Sequence, residues 1–174
     1  WKTQKYVDHI MNQLYSDKPD GLCGNEDCGQ MSSWYIFSAL GFYPVTPGSN
    51  IYAIGAPLVP KIVIKLEDDK VFEVVANNKT ELNIYVQSIK LNGKSINRTF
   101  ITHDEIINGG TLEFEMGPEP NRSFGVNVEN RPKSEIEDVS IVTIPYINSG
   151  SQTFENQTMV ELSCLDTVAS IYYH

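Results

Sequence analysis

The sequence predicts an α+β fold that is mostly β: two N-terminal helices, then an antiparallel β-sandwich and a partial small β module. Three observations carry this prediction. Apolar residues recur with helical spacing near the N-terminus. Short segments of alternating apolar and polar residues, bounded by turn-forming residues, follow Gly48. A polar stretch at 129–138 then separates a shorter group of apolar segments from the rest.

The composition is that of an ordinary globular protein with an acidic surface. Of the 174 residues, 41% are hydrophobic and 20% are charged, and the formal net charge is −9. Because nucleic acids and anionic membranes repel such a surface, we expect neither nucleic-acid binding nor membrane insertion. The chain opens at Trp1-Lys2 inside a helical pattern and without an initiator Met. We therefore expect a piece of a longer polypeptide, whose targeting segment lies elsewhere.

The first helix is predicted over residues 3–16. Val7, Ile10, Met11 and Leu14 follow the i, i+3, i+4, i+7 pattern of one buried stripe. Pro19 then ends the helix, because a proline disfavours the helical conformation of the residue before it.

A glycine-rich loop with two adjacent acids, Glu26 and Asp27, follows the first helix. Two interpretations stay open from the residues alone. Asp27 fits the first position of a capping box that ends at Gln30, with Glu26 solvated or complementing the helix dipole. Alternatively, one of the two carboxylates activates a water molecule as a general base.

The second helix is predicted over residues 28–40, and Gly41 ends it. Its apolar residues cover nearly the whole circumference, which indicates burial on all sides. A helix of this kind needs more protein around it than one neighbouring helix provides. The pattern is therefore typical of a segment from a larger helical array.

Strands and turns are predicted from period-two alternation and from turn residues. Asp68-Asp69 and Asn92-Gly93 are the expected hairpin turns, and residues 101–107 are expected to form one helical turn capped by Thr102 or Asp104. The predicted strands are 51–54, 61–66, 71–75, 82–91 and 111–116, followed by 141–144, 159–164 and 169–173 in the tail.

Other candidate chemistry is sparse. The three histidines lie far apart, no serine has a nucleophile-elbow context, and no phosphate-binding loop is complete. The three cysteines do not match a disulfide framework or a zinc site, and we expect them to be small buried packing residues. Four Asn-x-Ser/Thr sequons receive little weight, because turns rich in asparagine generate them by chance. The cysteines are Cys23, Cys28 and Cys164, and the sequons begin at Asn78, Asn97, Asn121 and Asn156.

Residues 20–48 carry a specific resemblance. The run Asp20-Gly-Leu-Cys-Gly-Asn-Glu-Asp-Cys-Gly-Gln-Met-Ser-Ser-Trp-Tyr and its continuation to Gly48 resemble the most characteristic segment of glycoside hydrolase family 92, which comprises exo-acting α-mannosidases. The resemblance extends over about residues 1–120. The tail weakly resembles the chitobiase-type C-terminal β modules of some bacterial glycosidases.

The resemblance implies an inverting, calcium-dependent enzyme that removes terminal mannose from mannose-containing glycans, with α-1,2 linkages the expected substrate. Asp27 matches the position of the family's general base, and Asn25 and Glu26 would support the base and its water. Where some members have a second acid, this chain has Asn25. That amide can orient a water but cannot take its proton. The general acid and the Ca²⁺ ligands would lie upstream of Trp1, so no metal ligand is assigned here.

The same resemblance implies a domain organisation and a location. Residues 1–48 would be the last helices of an (α/α)6 barrel, residues 49–128 a β-sandwich domain, and residues 129–174 a linker with an incomplete β module. The partners would be the N-terminal β-sandwich and the remaining barrel of the same polypeptide. The isolated piece is expected to be inactive, and the parent to be periplasmic, cell-surface or secreted, in a bacterium.

The alternative is an accessory carbohydrate-binding or structural β-sandwich module without catalysis. A carbohydrate-binding module needs a platform of exposed aromatic side chains. The candidates all lie in the predicted sandwich, where we consider core packing the better interpretation: Phe72, Tyr85, Phe100 and Phe114.

Overall fold

The fold was analysed in a computed structural model that describes residues 1–133, 143–151, 153–166 and 169–172. The chain divides into two compact units, Trp1–Lys133 and Ser134–His174. Residues 1–48 and 49–128 thus lie in one unit, and their assignment to separate domains of a parent protein stays a prediction. The described part of the chain contains no helix that is long and apolar enough to cross a membrane.

Three helices lie in the first unit: α1 (Lys2–Gln13), α2 (Gln30–Leu40) and α3 (His103–Ile107). The stripe on α1 is confirmed in part, since Met11 is buried, but the helix ends before Leu14, which is exposed. Gln4 is also buried on α1. Its side-chain oxygen accepts a hydrogen bond from the backbone N–H of Val86 at 3.2 Å and so ties the helix to the sheet.

Eight strands of the first unit form two sheets. The smaller sheet has the order β1-β2-β7 and is antiparallel, and the larger sheet has the order β3-β4-β8-β5-β6. The strands are β1 (Phe42–Tyr43), β2 (Ile51–Ile54), β3 (Lys61–Lys65), β4 (Val71–Asn77), β5 (Tyr85–Leu91), β6 (Lys94–Ile96), β7 (Phe100–Thr102) and β8 (Gly110–Gly117).

The α+β, mostly β fold class is confirmed, but the sandwich is not entirely antiparallel. The central strands β4 and β8 pair in parallel, with Phe72 opposite Gly110 and Asn77 opposite Glu115. Parallel neighbours need a long connection. Here residues 78–109 form this connection, which contains β5, β6, β7 and α3. Alternation along each strand shows which residues face the core but carries no information on strand direction.

A single hydrophobic core joins the two sheets. Phe72, Leu112 and Phe114 of the larger sheet have no exposed surface, and neither has Ile101 of the smaller sheet. Phe42 packs edge-on against Phe72 at a ring distance of 6.4 Å. The core interpretation of Phe72 and Phe114 is therefore confirmed, while Tyr85 and Phe100 are half-buried.

The predicted turns are confirmed. Asp68 and Asp69 have positive φ values of 57° and 55° between the antiparallel strands β3 and β4. Asn92 and Gly93 have positive φ values of 51° and 76° between β5 and β6. Two successive residues in this region match the twist of the flanking strands. Thr102 caps α3, as one of the two alternatives predicted.

The burial prediction for the cysteines is wrong. Cys23 and Cys28 are exposed because the glycine-rich loop lies on the surface instead of packing into the core, and Cys164 of the second unit is half-buried. The predicted burial of α2 on all sides by a larger helical array stays a prediction, because the described residues leave part of the helix uncovered. Ile36 is 59% exposed because the sheets and α1 cover only part of the helix.

The second unit contains the antiparallel pair β9 (Tyr146–Ser149) and β10 (Glu161–Ser163). The predicted strand 159–164 is confirmed in its centre, and β9 was not predicted. Residues 143 and 144, and residues 169–172, are not in strands. The predicted linker residues 134–138, residues 141 and 142, and residue 173 lie outside the described residues.

Candidate active site

The loop between α1 and α2 is fixed at its start by a tight turn. The N–H of Ser16 donates to the carbonyl of Gly21 at 3.0 Å, and the N–H of Gly21 donates to the carbonyl of Lys18 at 2.9 Å. A Cβ atom at Gly21 would lie 2.0 Å from the Ser16 carbonyl oxygen. Glycine is therefore required at this position, because any side chain would push the two arms of the turn apart.

Glu26 fixes the other end of the loop to α2. Its carboxylate accepts the backbone N–H of Ser32 at 3.1 Å and the Ser32 hydroxyl at 3.0 Å. Ser32 lies in the first turn of α2, where backbone N–H groups have no partner within the helix. The positive end of the helix dipole also favours a carboxylate there. The expectation that Glu26 complements the dipole is thus met by direct hydrogen bonds.

Asp27 does not cap α2, so the capping-box interpretation is wrong. The residue that precedes the helix is Gly29, and no side chain there accepts a helix N–H. Asp27 instead begins a 3-10 turn, Asp27–Gly29, in which the Glu26 carbonyl accepts the N–H groups of Gly29 and Gln30. This turn displaces the Asp27 side chain from the helix terminus, and the Glu26 carboxylate occupies the capping position.

The backbone at Asp27 and Cys28 has an uncommon conformation. The φ values are 20° and 58°, in the left-handed region that side chains with a Cβ rarely adopt. Such residues cost on the order of 1–3 kcal/mol and persist when their surroundings hold them. Here the holding groups are the Glu26 hydrogen bonds on one side and α2 on the other. The orientation of the Asp27 side chain is therefore fixed by the neighbouring residues.

The Asp27 carboxylate is exposed and makes no hydrogen bond or ion pair with any of the residues that the structure describes. Asn25 is exposed as well, and Glu26 is half-buried. The three candidate residues thus lie in one surface loop. The Glu26 carboxylate is hydrogen-bonded to Ser32, whereas the Asp27 carboxylate is exposed to solvent. A carboxylate in this state can accept a proton from a bound water.

An apolar cleft of about 360 Å³ lies beside this loop, lined in part by Tyr15, Leu22, Tyr35 and Ile36. The Tyr15 ring stacks on Trp34 at 5.7 Å and lies 5.0 Å from Tyr35. Flat aromatic surfaces of this kind pack well against the apolar face of a sugar ring.

Burial raises the pKa of the Tyr15 phenol, and the nearby Cys23 and Glu26 raise it further. Tyr15 therefore keeps its proton and donates it to the Met31 carbonyl at 3.3 Å. Sequence reasoning missed Tyr15 and Ser32. The sequence signal that could have identified Ser32 is a hydroxyl side chain in the first turn of α2, six residues after the acid Glu26.

The described residues do not assemble a metal site. Across the described ranges, no three His, Cys, Asp or Glu side chains come close enough together to hold an ion. Among the described residues, side chains of these four types therefore do not form a Ca²⁺ site by themselves. Within the run Asn25 to Asp27, Asp27 is the carboxylate without a described partner, because Glu26 is bound to Ser32.

The class of protein follows from comparison with known families. Residues 1–118 match the glycosyl hydrolase family 92 catalytic domain. This match includes the whole loop and both sheets. The chain belongs to glycosyl hydrolase family 92.

Individual relatives agree with this assignment. The chain is similar to the family GH92 alpha-mannosidase BT3965 from Bacteroides thetaiotaomicron, with 42% identity and a TM-score of 0.73 over 77% of this chain and 18% of that one. It is equally similar to the family GH92 inverting mannosidase BT2199 from Bacteroides thetaiotaomicron VPI-5482, with 42% identity and a TM-score of 0.72 over 76% of this chain and 18% of that one.

A third relative is an uncharacterized secreted glycosidase from Arthroderma benhamiae. It is 36% identical over 124 residues, which are 69% of this chain and 16% of the relative. The chain thus spans less than a fifth of the length of the relatives it matches.

Proposed function

We propose that this chain is the C-terminal part of an inverting, calcium-dependent exo-α-mannosidase that removes terminal α-1,2-linked mannose from glycans outside the cytoplasm. Asp27 is the general base in this proposal, and Glu26 and Asn25 support it. The family and the mannosidase relatives support the reaction class, and the secreted relative supports the location. The bacterial source expected from the sequence stays a prediction.

The observation that supports the proposal is that two adjacent carboxylates differ in hydrogen bonding and in exposure to solvent. Glu26 accepts two hydrogen bonds from Ser32, whereas Asp27 is exposed and unpaired among the described residues. A general base must have a free oxygen lone pair within reach of a water. Asp27 meets this requirement, and Glu26 holds the backbone that presents it.

The proposed chemistry uses Asp27 for one proton transfer. Asp27 accepts a proton from a water as the water oxygen bonds to the anomeric carbon, and the bond to the leaving-group oxygen breaks. A general acid on the opposite side of the sugar protonates that oxygen. In inverting enzymes the two carboxyl groups are about 6.5–9.5 Å apart. The acid is proposed to lie in the rest of the polypeptide, which would also supply the calcium ligands, and no step here depends on the metal.

The test is Asp27→Asn in the full-length parent, with mannose release from an α-1,2-linked mannobiose as the measurement. The amide keeps the side-chain volume but cannot accept the proton, so kcat should fall by about 10²–10⁴-fold. Asp20→Asn is the matched control, because it removes the same charge from an exposed residue of the same connection. Activity of Asp27→Asn within a factor of a few of the Asp20→Asn control would reject Asp27 as the base.

The alternative of an aromatic sugar-binding platform on the sandwich has less support. Phe72 and Phe114 are fully buried. Residues 49–118 instead support α2, because Phe37 and Leu40 of that helix pack against the sandwich core. This contact favours a structural role for the sandwich within the proposed enzyme.

A further inference from the structure

A polar pocket lies in the sandwich, between the β5–β6 hairpin and the segment 121–130 that follows β8. Its volume is about 360 Å³, and all of the described residues that line it are uncharged. The lining is dominated by amide and hydroxyl side chains, which include Ser88, Ser95, Asn97, Asn121, Ser123 and Asn127. Pockets of this volume lie within the range that accepts small ligands.

One wall of the pocket is held rigidly by Asn121. Its amide nitrogen donates to the Gln87 carbonyl at 2.8 Å. Its amide oxygen accepts the N–H of Ser123 at 3.0 Å and the Ser123 hydroxyl at 2.8 Å. The β5–β8 register shifts between Val86 and Ser88, at Gln87. Strand irregularities of this kind often lie beside binding sites because they redirect side chains.

The opposite end of the segment is fixed independently. The backbone N–H of Thr99 donates to the Asn130 carbonyl at 2.7 Å, and its hydroxyl donates to the same oxygen at 3.0 Å. The Arg131 side chain donates to the carbonyls of Gly125 and Val126. The pocket therefore has walls that exist before any ligand arrives, which lowers the entropic cost of binding.

The polar groups that line the pocket are not all used up by these internal bonds. Ser88, Asn97 and Asn127 are exposed, and their side chains make no hydrogen bond to any described residue. Amides and hydroxyls both donate and accept, as do the hydroxyl groups of a sugar. Half-buried Phe124 supplies an apolar surface in the same lining.

We infer that this pocket binds a neutral saccharide of one or two rings, at a site separate from the base loop. An uncharged lining supplies no counter-charge for a phosphate, carboxylate or ammonium group. The mixture of amides, hydroxyls and one aromatic ring matches the hydroxyl edges and apolar faces of a sugar. Binding at this pocket does not require hydrolysis. The pocket would either hold a mannose-containing glycan chain near the enzyme or bind a saccharide that is unrelated to the substrate.

The test is a calorimetric titration of the full-length Asp27→Asn protein with two disaccharides, a sulfur-linked mannobiose that resists hydrolysis and cellobiose. The variant Asn97→Ala/Asn127→Ala removes two lining amides without breaking an internal hydrogen bond, so the fold should be kept. Asn12→Ala is the control, since Asn12 is an exposed amide on α1 and does not line the pocket.

We expect at least one disaccharide to bind with an affinity that falls about tenfold or more in the pocket variant and is unchanged in the control. Loss of mannobiose binding would identify the mannose-containing glycan as the ligand, and loss of cellobiose binding a different saccharide. Affinities for both sugars that are equal in the variant and the control, or no binding of either, would overturn the inference. Mannose release by Asp27→Asn is measured separately, so failure of the base assignment is distinguishable.

Discussion

Glu26 and Asp27 are adjacent and both carry a carboxylate, but they differ in their hydrogen bonds. Glu26 has one more methylene than Asp27, and its carboxylate reaches both the N–H and the hydroxyl of Ser32. Asp27 follows it at a positive φ, and its side chain leaves the helix terminus. The division of roles therefore depends on a backbone turn, and Ser32 is the residue that holds the turn in place.

Ser32→Ala tests this positioning role. The substitution removes the hydroxyl bond but leaves the backbone N–H bond, and a hydrogen bond to a charged group is worth about 1.5–3 kcal/mol. We expect kcat of the full-length parent to fall about tenfold with little change in KM, because the loop would hold Asp27 less well for the reaction. Mannose release over a range of substrate concentrations measures both constants.

Two further variants separate positioning from general destabilisation. Ser32→Thr keeps the hydroxyl and should recover most of the activity. Ser33→Ala alters the neighbouring exposed serine and should resemble the unmodified protein. If the three variants share the same kcat, Ser32 does not position the base.

At the scale of the element, α3 illustrates a helix that depends on its cap. Thr102 and Glu105 form a complete capping box, in which the Glu105 carboxylate accepts the Thr102 N–H at 2.9 Å. Arg98 also donates to this carboxylate. Burial opposes ionisation of Glu105, but the hydrogen bonds from Arg98 and Thr102 outweigh it, and the pKa lies below its usual 4.5.

The lowered pKa sets the sign of a pH dependence. Since the folded protein holds the Glu105 carboxylate more acidic than the unfolded chain does, its stabilisation is present above pH 4.5 and is lost as the pH falls through the folded value. Glu105→Gln should therefore lower the free energy of unfolding by about 1 kcal/mol at neutral pH. The difference from the unmodified protein should disappear in stronger acid.

Urea unfolding at neutral and acid pH measures this difference. Asp104→Asn is the matched control, because it removes the same charge one residue earlier on the same short helix, from an exposed side chain. An effect of Glu105→Gln that is equally large in acid, or equal to that of Asp104→Asn, would contradict a role for the ionised cap.

The same element scale shows what the sequence could predict. Strong local signals were sufficient for α1, α2, the Asn92-Gly93 turn and the Thr102 cap. Strands β1, β6 and β7 have only two or three residues, too few for alternation to be visible. The parallel pairing of β4 and β8 was missed because it depends on the path of the whole connection, not on either strand.

The candidate site was predictable in its location but not in its internal roles. The glycine-rich run with two acids identified the loop, and the family resemblance singled out Asp27. The exchange of capping roles between Glu26 and Asp27 could not be predicted, because it follows from left-handed backbone angles at Asp27 and Cys28. The burial of Cys23 and Cys28 was misjudged for a related reason: the same loop lies on the surface and exposes them.

At the scale of the whole molecule, the described residues of the first unit leave apolar surface of α2 and the larger sheet exposed. An apolar groove of about 540 Å³ runs beside α2 and is lined in part by Ile36, Phe37 and Val63. Ile36 is 59% exposed and Val63 48% exposed. The relatives are more than five times as long as the part that this chain matches. Under the proposed function, the remaining barrel and N-terminal sandwich of the same polypeptide cover this groove.

This organisation predicts that residues 1–174 alone are catalytically inactive. Inversion requires a base and an acid on opposite faces of the sugar, and the free loop carboxylate supplies only the base. We expect no mannose release above the uncatalysed background when the isolated chain is incubated with α-1,2-linked mannobiose at the concentration at which the full-length parent is assayed. Near-ultraviolet circular dichroism of the clustered rings Tyr15, Trp34 and Tyr35 shows whether the chain is folded under the same conditions.

A folded, inactive chain agrees with this prediction, and an unfolded one shows that the barrel is needed already for the loop to form. Turnover by the folded chain would contradict it, because the missing acid would then have to come from residues 1–174. In that case Glu26 is the first residue to test, since it is the carboxylate nearest in sequence to the proposed base. Glu26→Gln would abolish this residual turnover if Glu26 were the acid, whereas a positioning role predicts only a partial loss.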